Sequence, residues 1–168
     1  GVDHGMHRGG SDPTVGKAAC EAKYNQYGGT ASFGNIYFGY ELTQYDNHCL
    51  ASMNLHGGTF KANGYFRLGQ THCKVAGENE PHATVNVYDG AVITHDSGRT
   101  FKMSGGVPTV NVYGGTMTSV GESWQMFHAY SGAGANTINI TGGEFTMANL
   151  LSGSSDGKTV VITGLGAG

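Results

Sequence analysis

A chain of 168 residues suits one domain, but 30 glycines and only 12% charged residues set it apart from average globular proteins, in which about a quarter of residues are charged. A formal charge of −3 without any Lys/Arg cluster argues against nucleic acid as a partner, which calls for a basic patch. No apolar run approaches the roughly 20 residues that span a bilayer.

Glycine is unfavourable inside helices, whereas the alternating Thr, Val, Ile, Tyr and Phe fit pleated strands. Hydrophobic residues make up 38% and recur periodically, unlike a disordered Gly-rich chain. Residues 1–29 are the least periodic and read as an N-terminal arm or cap. They hold a Ser11-Asp12-Pro13 turn signal and a Lys17–Lys23 piece long enough for one or two helical turns. A first residue of Gly rather than Met reads as a processed mature form or a fragment. Strand-like patterns begin at Thr30, so residues 30–168 are read as the repeat domain. Gly34, Ile36 and Phe38 share one parity, and Tyr40–Gln44 is another short candidate. Asn35 lies only 19 residues before Asn54, which makes the first coil irregular.

The chain is organised by Thr84-Val85-Asn86-Val87-Tyr88-Asp89-Gly90, which returns as Thr109–Gly115, as Thr137–Gly143 and, truncated, as Thr159–Gly164. Ser52–Gly58 is its upstream echo. Steps of 32, 25 and 28 residues join Asn54, Asn86, Asn111 and Asn139, and 22 more reach the matching Val161. Such spacings belong to one supersecondary unit stacking on its neighbours. Side chains alternate between strand faces. Met53/Leu55, Val85/Val87, Val110/Val112, Ile138/Ile140 and Val160/Ile162 therefore point inward. A Gly-Gly or Asp-Gly pair then turns a corner, after which Phe60, Val92, Met117 and Phe145 are placed inside. A third piece carries Phe66/Leu68, Phe101/Met103, Phe127/Ala129 and Leu150, each run ending near a glycine. The fold class expected is all-β: a single parallel β-solenoid with three short strands per coil and about five to six coils.

Coils stacked about 4.8 Å apart place Asn54, Asn86, Asn111 and Asn139 in an outward amide ladder. Ser52, Thr84, Thr109, Thr137 and Thr159 flank it on one side, and His56, Tyr88, Tyr113 and Thr141 on the other. The row reads first as support for the sheet and second as a carbohydrate-binding or inter-fibril face with Tyr88 and Tyr113 as platforms. Three cysteines cannot all pair within one chain. Cys49 and Cys73, 24 residues apart, are the preferred disulfide, leaving Cys20 free or bonded to another chain; Cys20 with Cys49 is the alternative. Disulfide use implies an extracellular setting.

Signals for chemistry are weaker. Asp3-His4-Gly5-Met6-His7 offers two imidazoles without the further ligands of a zinc site. His48 and His72 stand beside cysteines with no Cys-x-x-Cys, and no cofactor is expected. Asp89, Asp96, Glu122, Glu144 and Asp156 are scattered singly, whereas a glycosidase needs two facing carboxylates. His95-Asp96 with Arg99 is the best acid/base cluster and reads as a solvated loop, so no enzyme is expected. Asn139-Ile140-Thr141 matches the N-glycosylation triplet.

The T-V-N-V-x-G-G-x-Φ phrase, over about Thr30 to Gly164, resembles the right-handed β-helix repeats of secreted bacterial surface proteins of the autotransporter-passenger and adhesin type. The resemblance implies extracellular or cell-surface display, adhesion or fibre formation. Pectate-lyase-like enzymes share that fold, but their basic and calcium-binding acidic residues have no match here. Thr159-Val160-Val161-Ile162-Thr163 begins a coil that the following residues do not complete, and the segment has no charged or proline guard. The expectation is head-to-tail self-assembly of this chain with itself into a filament. The alternative is a polysaccharide-binding or polysaccharide-cleaving module, or a fragment of a larger adhesin.

Overall fold

Short alternating runs separated by glycine corners can satisfy their backbone groups only by pairing with the equivalent run of another repeat. The computed structural model describes residues 20–38, 49–68, 82–95, 101–103, 108–119, 136–147 and 160–164. They form fourteen strands: β1 (Cys20–Gln26), β2 (Thr30–Phe33), β3 (Ile36–Phe38), β4 (Cys49–Leu55), β5 (Gly58–Ala62), β6 (Phe66–Leu68) and β7 (His82–Val87). Then come β8 (Ala91–His95), β9 (Phe101–Met103), β10 (Thr109–Val112), β11 (Thr116–Ser119), β12 (Asn136–Ile140), β13 (Glu144–Met147) and β14 (Val160–Gly164).

Every pairing is parallel. The first sheet runs β1-β4-β7-β10-β12-β14, the second β2-β5-β8-β11-β13 and the third β3-β6-β9. In the first three repeats successive strands thus enter three different sheets, and β10 to β14 continue the first two, an all-β arrangement with no helix among the described residues and compatible with a β-solenoid. The inner faces share one apolar core. Met53, Phe60, Phe66, Leu68, Val85, Val87, Ile93, Met103, Val110 and Val112 are all fully buried. Phe127, Ala129, Leu150 and the Tyr40–Gln44 candidate lie outside the described residues.

Three sequence expectations need correction. First, the repeat starts earlier than Thr30. Cys20–Gln26, assigned to the arm and partly to helical turns, is β1, and Asn25 rather than Asn35 pairs with Asn54. Asn35 instead sits in the turn between β2 and β3, where its Oδ1 accepts the Tyr65 amide at 3.0 Å. Second, Ile93 and not Val92 lies inside, in register with Phe60 and Met117. The Asp89-Gly90 corner holds one more residue than the Gly57-Gly58 corner, and one extra residue exchanges the two faces of everything after it. Third, β14 pairs with β12 two residues away from the expected alignment, so Thr163 rather than Val161 stands beside Asn139. A shift of two keeps the strand's alternation, which is why the inward parity of Val160 and Ile162 in the sequence could not reveal it.

Candidate functional site

The most regular exposed feature is built by the first sheet and the corner that follows it. Register places Asn25, Asn54, Asn86, Asn111 and Asn139 directly above one another. Their amides form one continuous chain of hydrogen bonds. Asn54 Nδ2 donates to Asn25 Oδ1 at 2.9 Å, and Asn86 to Asn54, Asn111 to Asn86 and Asn139 to Asn111 follow, each at 2.8 Å. Every bond points the same way, from the later coil to the earlier. Ser52, Thr84, Thr109 and Thr137 run beside the amides. Val161 takes the level expected of Thr159, which lies outside the described residues.

Beyond the strand ends the backbone ladder continues around the corner. His56 N–H donates to Gln26 O at 2.7 Å, Tyr88 N–H to Leu55 O and Tyr113 N–H to Val87 O, both at 2.9 Å. These bonds hold the next side chains one above another. Tyr27 stacks on His56 with ring centroids 4.8 Å apart, His56 on Tyr88 at 4.6 Å and Tyr88 on Tyr113 at 5.1 Å, with interplanar angles of 7°, 5° and 19°. Tyr27 and Asn25 are the members that sequence reading missed. The signal was the shared Asn-x-Tyr/His spacing of Asn25-Gln26-Tyr27 and Asn54-Leu55-His56.

This geometry limits what the face can bind. A sugar ring packs against an aromatic face, yet both faces of His56 and of Tyr88 are covered by neighbouring rings. The column therefore presents ring edges and polar tips, and only its end members, Tyr27 at 76% exposed and Tyr113 at 46%, have a face that no other ring of the column covers. The Asn139 amide nitrogen of the glycosylation triplet is engaged with Asn111 inside β12. Replacing Asn86 and Asn111 together by alanine removes three amide bonds. At about 0.5–1.5 kcal/mol each, less for partly exposed groups, stability should fall by roughly 1–3 kcal/mol with the fold retained. A denaturant titration reads the shift in midpoint.

Of the His95, Asp96 and Arg99 cluster only His95 is described, and it is enclosed rather than solvated. His95 ends β8 on its inner face and is 1% exposed. One ring nitrogen, Nε2, lies 2.8 Å from the Gly64 carbonyl, and Nδ1 lies 2.8 Å from Ser119 Oγ. A carbonyl can only accept, so Nε2 carries a proton, and Nδ1 shares a hydrogen bond with the Ser119 hydroxyl. His95 is thus a core histidine bridging the second sheet to its following turn. Asp96 and Arg99 lie outside the described residues, as do His4, His7, His48, His72 and Cys73. Cys20 and Cys49 are register partners on β1 and β4. Neighbouring strands lie about 4.8 Å apart, within the Cα range that a disulfide bridges, so this register is compatible with the alternative pairing, while the preferred Cys49–Cys73 pair includes a residue outside the described ones. Among the described residues no three His, Cys, Asp or Glu side chains gather as a metal site.

A second charged feature lies on the third sheet. Lys102 on β9 pairs in register with Arg67 on β6, whose guanidinium carbon lies 4.3 Å from the centroid of the Tyr65 ring. Lys102 is 7% exposed. Burial, with the Arg67 charge adding to it, lowers its amine from 10.5 to about 8. The unfolded amine keeps its proton up to 10.5 and the folded one releases it near 8, so the unfolded state binds more protons between these values. Stability should therefore rise from pH 8 towards pH 10. Above that, Tyr24 acts in the opposite sense, because its burial raises the phenol's value above 10.0 in the folded state. Thermal melts of the protein and of Lys102→Met across this range should show the rise only in the former.

Comparison with protein families, curated proteins and solved structures found no match.

Proposed function

We propose that this chain is a secreted structural protein in which a single right-handed parallel β-helix stacks head-to-tail with other copies of itself into an extracellular or cell-surface filament. The observation that carries the reading is the state of the core at its two ends. In the middle coils the inward rows are fully buried, but Tyr24, Ala31 and Phe33 at the β1/β2 level and Ile140 and Phe145 at the β12/β13 level are only partly so. Among the described residues no strand pairs beyond β1 or β14 in the first sheet or beyond β2 or β13 in the second, so these edges offer backbone groups to a further strand. All strands run in the same direction, so one end is complementary to the other, and a contact of that kind repeats without closing. Covering the ends removes apolar area from water at roughly 25 cal/mol per Å² and pairs the edge backbone groups.

The resemblance to secreted bacterial surface repeats supports the same placement outside the cell, and the facing positions of Cys20 and Cys49 are compatible with it. The polysaccharide reading loses support from the aromatic column, whose internal ring faces are covered, and from His95, which is enclosed in the core. Negative-stain electron microscopy of the purified protein at two concentrations, with and without reductant, tests the proposal. Unbranched fibres of uniform width, more abundant at the higher concentration, are expected. Discrete particles at both concentrations would overturn it, and fibres lost only on reduction would assign the joint to an interchain cysteine rather than to stacking.

A further inference from the structure

We propose that Tyr88 and Tyr113 form a site of oxidative cross-linking, at which hydrogen peroxide acting through a haem peroxidase joins the two rings as a dityrosine and ties successive coils together on the outside of the molecule. The proposal is independent of the filament reading, because both rings belong to one chain. They stack with centroids 5.1 Å apart and an interplanar angle of 19°. The backbone fixes their approach: Tyr113 N–H donates to Val87 O at 2.9 Å, directly after the paired run of Thr109–Val112 on Thr84–Val87. Two residues before the rings, Asn111 Nδ2 donates to Asn86 Oδ1 at 2.8 Å. Two phenols held in this way meet at an effective concentration that separate chains do not reach. Tyr113 is exposed, so an oxidant meets it from solvent. At the next level Thr141 continues the backbone ladder by donating to Val112 O at 2.9 Å. A threonine rather than a ring therefore follows Tyr113, which leaves that ring room to tilt towards Tyr88.

The column also selects the pair. Tyr27 and Tyr88 lie on opposite faces of His56, at 4.8 and 4.6 Å from it, so an imidazole separates those two phenols. In the coupling, each phenol gives up one electron and its hydroxyl proton, leaving a radical with unpaired density on the ring carbons ortho to oxygen. One carbon–carbon bond forms between an ortho carbon of each ring. The hydrogens on those two carbons then move to the oxygens as protons, and both phenols are restored. Two electrons and two protons leave in all, and one hydrogen peroxide takes them up to become two waters.

The test treats the purified protein with hydrogen peroxide and a haem peroxidase over a range of dilution and follows dityrosine fluorescence in each electrophoretic band. Cleavage after Arg99 and Lys102 puts the two tyrosines on separate peptides, so mass spectrometry reads their joining directly. The expected result is a band of single-chain mass that holds the Tyr88–Tyr113 linked peptides and forms at a rate per molecule independent of dilution. Tyr88→Phe and Tyr113→Phe keep a ring in the stack but have no phenol to oxidise, and each should lose the fluorescence of that band. Tyr27→Phe should retain it. Linked peptides confined to bands of two or more chains, single-chain fluorescence that survives in Tyr113→Phe, or no dityrosine under conditions that couple free tyrosine would overturn the proposal. Peptide mapping of the wild-type band decides the matter by itself should a variant misfold.

Discussion

Gly58→Ala is expected to destabilise the protein by roughly 2–5 kcal/mol, whereas Gly90→Ala, at a similar backbone angle one coil away, should cost only about 1–2 kcal/mol. Both glycines lie in the left-handed region, with φ of 80° and 77°, where a side chain meets the following carbonyl oxygen. Their surroundings differ. A Cβ on Gly58 would collide with the Gly29 carbonyl oxygen and the backbone of Gly28 in the coil beneath, while a Cβ on Gly90 meets nothing within 4 Å. Gly58 sits in register with Ala91 and is locked between levels, its N–H donating to the Gly90 carbonyl at 3.2 Å. Gly90 belongs to the corner that holds one more residue. Denaturant midpoints of the two variants give the comparison. Equal losses would mean that the corners are not packed one on another as described.

The second large effect is expected inside the coils. Phe60→Ala should cost about 3–5 kcal/mol, because it removes a fully buried ring from a core that cannot collapse around the cavity. Phe60 touches Tyr24 and Phe33 of the preceding coil, with centroids at 5.7 and 5.2 Å, and Phe66 of its own at 6.1 Å. Its loss loosens the contact between the first two levels as well as their contents. Tyr113→Ala on the outer column should cost roughly 1 kcal/mol or less, since that ring is half exposed and stacks on Tyr88 alone. A Tyr113 variant as damaging as the Phe60 variant would contradict the assignment of stability to the interior.

Much of this was legible in the sequence because alternation and repetition act together. Val85/Val87 and Val110/Val112 could be placed inside, and Asn86 over Asn111, from the repeated phrase alone. The first coil was not legible, because Tyr24 and Gln26 stand in β1 where later coils have Met53, Leu55 or valine. Gln26 tolerates burial by donating to the Gly29 and Thr59 carbonyls at 3.3 and 3.1 Å, a compensation that no apolar pattern signals. Val92 was misplaced because one extra corner residue changes the face without changing the composition. The β14 register was ambiguous because Thr159-Val160-Val161-Ile162-Thr163 has threonine at both ends and no asparagine to fix it. His95 was read as a loop residue because histidine is polar, and only the Gly64 carbonyl and the Ser119 hydroxyl reveal why it can be enclosed. The direction of the amide bonds is a property of side-chain geometry that no spacing encodes.

The most direct test of the central claim, that coils stack within the chain and continue from one copy to the next, is X-ray diffraction from oriented, concentrated protein. A reflection at about 4.8 Å along the long axis of the assembly, with axial order extending well beyond the length of one chain, is the predicted result. A pattern without that axial spacing, or axial order no longer than a single chain, would contradict it.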